Sequence, residues 1–126
     1  MIYQTPYALR EEFTRRIQAM LRQLELKYEE IAHVRTQLDQ LRQQDVDLRQ
    51  EFNSLQASTW RNAISANAGA VSTMSSIHLT ELQNSMQELD NLIAIRTQTY
   101  DRLIQESYKC VSRLLSTIND CIRCES

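Results

Sequence analysis

From Phe13 onward, apolar residues return at alternating intervals of three and four. One series runs Ile17, Leu24, Ile31, Leu38, Asp45, Phe52; the other runs Phe13, Met20, Lys27, Val34, Leu41, Leu48, Leu55. Eleven of these thirteen positions are apolar, over six consecutive heptads. A straight helix of 3.6 residues per turn drifts off a seven-residue repeat unless it supercoils against a neighbour. The spacing therefore predicts a long helix whose seam packs along a second helix as a coiled coil. Lys27 and Asp45 interrupt the seam. Polar residues there cost stability and can fix register and partner number; they either pair with opposite charges on the facing helix or sit where the seam locally opens. Outside the seam, Glu11–Arg15, Glu12–Arg16, Arg35–Asp39 and Asp45–Arg49 stand four apart, as solvated helix faces do.

Thr5-Pro6 reads as a helix start, with threonine at the cap and proline in the first turn. The first helix is expected over about 6–66. Between residues 57 and 78 the only charge is Arg61, and Ala, Ser, Thr and Asn dominate around the sole Trp and sole Gly. Asn67-Ala68-Gly69 is the best helix stop in the chain, and Ser72, Ser75 or Ser76 would cap the next helix. A reversal is expected within 66–76 and a second helix over about 76–122. Trp60 and Ile64 are the candidate contacts if 57–78 is a partner-binding tip. A flexible loop, or a section where small residues pack closely, is the other reading of that segment.

In the second helix Leu79, Leu82, Met86, Leu89, Ile93, Arg96, Tyr100, Leu103, Ser107, Cys110, Leu114 and Cys121 form one stripe. Past residue 100 a second appears, with Ile104, Tyr108, Val111, Leu115, Ile118 and Ile122. A face that wide exceeds what one neighbouring helix covers. The added neighbours are either the N-terminal turns around Tyr3, Tyr7, Leu9 and Phe13 or other chains, and Tyr100, Leu103, Ile104, Tyr108, Val111, Leu114, Leu115, Ile118 and Ile122 are the expected interface with sister subunits or a protein partner. The fold expected is all-α: a single domain of two long antiparallel helices forming a coiled-coil hairpin, oligomeric through its C-terminal third. A single bent rod in a parallel coiled coil is the alternative.

Composition narrows the function classes. One Gly and one Pro in 126 residues exclude a turn-rich β fold and a glycine-rich phosphate loop. The net charge is −2, spread evenly, and no basic stripe exists to neutralise phosphates, so nucleic acid is not an expected partner. The longest uncharged stretch, Asn62–Thr80, contains ten Ser, Thr, Asn, His or Gly residues and does not read as a membrane span. The first residues lack the basic and apolar regions of a signal peptide. The expected setting is cytoplasmic, or within a viral or secretion assembly.

Cys110, Cys121 and Cys124 share roughly one helix face. They read as small apolar packing residues, with an intersubunit disulfide or a metal site as alternatives. His33 and His78 have no catalytic company, and the carboxylate pairs Glu11/Glu12, Glu29/Glu30 and Asp45/Asp47 lie among solvated charges. No enzyme, cofactor or metal is expected. In its Gln/Arg/Glu/Leu richness, length and charged first helix the chain resembles the export-apparatus stalk proteins of flagellar and type III secretion systems. That resemblance implies a stalk or chaperone binding client proteins reversibly. The apolar, Cys-containing Tyr108–Ile122 departs from their charged second helix. Small secreted helical hairpins with Trp-x-Gly at the turn are similar in placing a Trp near the midpoint, but here the tripeptide is Trp60-Arg61-Asn62. The residues themselves favour a non-enzymatic structural or assembly protein, a coiled-coil rod or adaptor of a larger complex.

Overall fold

The structure, a computed structural model, describes residues 6–64 and 68–125, and the side chains of 7–61 and 76–124. Helix α1 spans Pro6–Ile64 and helix α2 spans Ala68–Glu125, and the described residues contain no strand. The two helices pack against each other. Pro6 suits the first turn of α1 because its ring presets φ and its missing N–H would have had no helical acceptor. The other 58 residues of α1 contain neither Gly nor Pro. They are rich in Leu, Arg, Gln and Glu, which lose little rotamer freedom in a helix.

Helix α2 begins at Ala68, earlier than the expected start near 76, and the part of the expected 66–76 reversal that falls on residues 66 and 67 lies outside the described residues. Ser72, Ser75 and Ser76 are inside the helix, and Gly69 lies in its first turn. No described glycine has a positive φ, so Gly69 does not close a helix in the left-handed conformation. One glycine costs a helix only about 1 kcal/mol, and the Ala, Ser and Met around it continue the turns. Residues 65–67 lie outside the described residues, as do the side chains of 62–75 and with them Ile64.

Every one of the thirteen seam positions of α1 is buried or half-buried, and Thr59 continues the spacing. On α2 the covered positions run Leu79, Leu82, Met86, Leu89 and Ile93. The next position expected in that stripe, Arg96, is exposed, and Thr97 is half-buried instead. A guanidinium keeps its hydration at little cost by turning outward. The Thr97 hydroxyl is satisfied in place, donating to the Ile93 carbonyl at 2.7 Å.

The chain forms two compact units, Met1–Arg35 with Thr99–Ser126, and Thr36–Gln98. The first buries Phe13, Ile31, Val34, Leu103 and Leu114 together with Ser107 and Thr117. The guanidinium of Arg16 lies 5.6 Å from the Phe13 ring centre, a cation–π arrangement. The second unit buries Leu38, Leu82 and Leu89. No described side chain falls below 2% exposure, so each core is a single seam with water close on both sides. Leu38 and Leu103, both 3% exposed, are the best covered. Each contributes about 1.5–3 kcal/mol by leaving water.

Candidate functional site

The C-terminal half of α2 carries two parallel apolar series. Leu103, Ser107, Leu114 and Thr117 are buried, and Cys110 and Cys121 are half-buried. These are seam positions, and several are small. The Ser107 hydroxyl donates to the Ile104 carbonyl at 2.7 Å, so it enters the interior already satisfied. One residue after each seam position comes the second series. Ile104, Val111 and Ile118 are half-buried, whereas Tyr108, Leu115 and Ile122 are 69%, 55% and 59% exposed.

The nine residues expected to form one attachment face therefore divide. Leu103 and Leu114 belong to the interior, because successive helical residues are 100° apart and these two point along the seam direction. Tyr100 is half-buried beside them, and the outward face is made by the series from Ile104 to Ile122. Sequence reasoning missed two further members of this surface, Leu21 and Tyr28 on α1, which are 44% and 52% exposed. Their signal was available: each follows a seam position, Met20 or Lys27, by one residue, and the two stand seven apart.

Charges flank the seam in both units. Lys27 Nζ donates to Glu106 Oε2 at 2.8 Å. That hydrogen bond raises the lysine above its usual value against the opposing effect of burial, and holds the Glu106 carboxyl below the ordinary carboxylate range. Arg102 approaches the other Glu106 oxygen at 3.7 Å. In the second unit Arg49 donates from Nε to Asp45 at 3.0 Å and from Nη2 to both oxygens of Asp90, at 3.3 and 3.2 Å. The Asp45 hydrogen bond is the main cause of the raised Arg49 pKa. Lys27 thus meets an acid on the facing helix directly, while Asp45 connects to α2 only through Arg49. The second oxygen of Asp45, Oδ1, is buried without a hydrogen-bond partner. Of the four surface pairs expected at spacing four, Glu11–Arg15 closes at 3.7 Å and Asp45–Arg49 at 3.0 Å.

Within the second unit an open groove of about 490 Å³ is lined by Asn53, Gln56, Ala57, Thr59, Trp60 and Leu79. Trp60, a candidate tip contact, is 70% exposed at its edge, and the buried Thr59 hydroxyl has no hydrogen-bond partner. Cys110, Cys121 and Cys124 are free thiols; the first two are half-buried and Cys124 is exposed. His33 and His78 are exposed. Among the described residues no three His, Cys, Asp or Glu side chains gather as a metal would require, and no helix is long and apolar enough to cross a membrane. Against this geometry, comparison with protein families, with curated proteins and with solved structures finds no match to the chain.

Proposed function

We propose that this protein is a non-enzymatic structural or assembly component, an antiparallel coiled-coil hairpin that serves as a rod or adaptor in a larger viral or bacterial complex. One observation carries the reading: Tyr108, Leu115 and Ile122, at seven-residue intervals on α2, are each more than half exposed. An apolar row of that regularity on a helix is the form of a surface that another helix covers. The antiparallel sense is supported by the cross-helix contacts, because partners fall from Glu106 to Asp90 as α1 runs forward from Lys27 to Arg49.

Combining Tyr108→Asp with Leu115→Asp tests the reading. Both side chains are outward, so helicity by circular dichroism should be retained while light scattering shows the oligomer falling to monomer. Unchanged association would sink the attachment face. A wild-type chain that stays monomeric until a client protein is added would favour the stalk or chaperone reading instead.

A further inference from the structure

The exposed stripe of α2 also has a direction. Ile104, Tyr108, Val111, Leu115, Ile118 and Ile122 are separated by four, three, four, three and four residues. That is a heptad seam in its own right, spanning about 27 Å, and its natural occupant is a helix. The sequence of intervals reads the same from either end. Turned end for end, the stripe meets itself in complete layers: Ile104 against Ile122, Tyr108 against Ile118, and Val111 against Leu115. Parallel pairing would instead set Tyr108, the bulkiest member, against its own copy.

The flank beyond the stripe is consistent with the same pairing. Gln105, Ser112 and Asn119 are exposed and uncharged. In the end-for-end arrangement Ser112 faces Ser112 across the two-fold axis, and Gln105 faces Asn119. A charge at 112 would oppose itself there, and none is present. The first helix contributes at the same level. Lys27 reaches Glu106, so Leu21 on α1 passes α2 within the span of the stripe, beyond Glu106 toward its C-terminal end. Leu21 and Tyr28 follow their seam positions as Ile104 and Val111 follow theirs, and antiparallel neighbours bring those two flanks to the same side. Glu106, which precedes a seam position, stands on the opposite side. The apolar outline is about 27 Å long on α2 and is widened on α1 by Leu21 and Tyr28, which stand among the polar Gln18 and Glu25. With side chains standing from it, such a face approaches the ~800 Å² per partner that a stable pair buries.

We infer that the occupant is a second copy of this chain, docked antiparallel through α2 about a two-fold axis beside Ser112. This rests on the self-association proposed above and adds partner, orientation and centre. The test uses the full chain with Ser112→Glu and, separately, Ser112→Arg. Each alone should weaken dimerisation about tenfold by sedimentation equilibrium, and an equimolar mixture should recover wild-type affinity as a heterodimer. Disulfide trapping in a Cys110→Ala, Cys121→Ala, Cys124→Ala background reads the same axis. Ser112→Cys should cross-link with itself, and Gln105→Cys should cross-link with Asn119→Cys but not with itself. If that background lost helicity, the charge exchange at 112 would still decide in the native chain. A dimer that cross-links through Gln105→Cys alone would be parallel, overturning the axis and leaving self-association standing. A chain monomeric at every concentration would overturn both.

Discussion

Around Leu38, Leu82 and Leu89 the covered stripe of α2 is one residue wide, and its neighbours Gln83, Gln87 and Asp90 are polar and exposed. Around Leu103 and Leu114 the seam is filled partly by Ser107, Cys110 and Thr117, and the neighbouring row is Ile104, Tyr108 and Val111. The second arrangement has smaller residues inside and larger apolar residues beside them. A helix that needed only α1 as neighbour would place them the other way round. The two units also treat their interrupting charge differently, since Lys27 meets Glu106 directly and Asp45 leaves one oxygen without a partner. Burial of a polar seam residue is compensated in the first unit and only half compensated in the second.

Truncation at the best-covered residue of each unit should break this contrast most severely. Leu103→Ala and Leu38→Ala are each expected to cost about 2–4 kcal/mol in urea unfolding followed by circular dichroism. Leu103→Ala should cost more, because the flanking apolar row keeps water from refilling its site. The reverse order would mean that the flank does not shelter the seam. Next in size, Asp45→Leu should stabilise the chain by about 1 kcal/mol, since an apolar seam residue takes the place of a half-buried carboxylate that has one unpartnered oxygen. Lys27→Leu should bring no comparable gain because it removes a closed ion pair and leaves Glu106 only the longer contact to Arg102. Equal gains from both would refute the difference in compensation.

Gly69→Ala should add about 0.5–1 kcal/mol, because Gly69 is helical with no positive φ to preserve. A loss of stability in the same thermal melt would show that a bare backbone is required at that point. The smallest effect concerns pH. The folded value of Glu106 is lowered by Lys27, so the pair stabilises above the ordinary glutamate range and loses that contribution as pH falls through the lowered value. At the other extreme Lys27 is raised, and the contribution fades as pH rises through its folded value. Melting temperatures of the wild type and Glu106→Gln should therefore differ near neutrality and converge in acid. A difference that is constant down to strong acid would remove the pair from the account.

The burial pattern of α1 is legible in its spacing because a seam packed against one neighbour leaves a clean three-four signature. Every interrupting residue in that seam, Lys27 and Asp45 included, still points inward. The pattern on α2 was harder to read. Two adjacent apolar rows blur the direction of the seam, so Leu114 looked as outward as Leu115 until burial separated them at 9% and 55%. Arg96 shared the seven-residue spacing without sharing the interior, since a long cation escapes to water more cheaply than it is buried. The start of α2 was misplaced because asparagine, alanine and glycine together mark both a stop and a tolerable first turn. The Arg49–Asp90 and Lys27–Glu106 contacts depend on the register between helices, and no single-chain periodicity carries that information.

The separation of those two contacts along the chain, 41 and 79 residues, has a consequence for how the protein comes into being. Closing the longer loop costs only about 0.6 kcal/mol more in chain entropy, so the thermodynamic difference is slight. The difference in waiting time is larger. At roughly 5–20 residues per second, Lys27 leaves the ribosome about 4–16 s before Glu106 does. Throughout that interval the seam from Phe13 to Val34 is synthesised but uncovered, while Leu38 to Leu55 are offered their partners sooner. The earliest-made part of the seam is thus the last to be sheltered. On a message carrying several ribosomes, it is there that neighbouring nascent chains have the longest opportunity to meet.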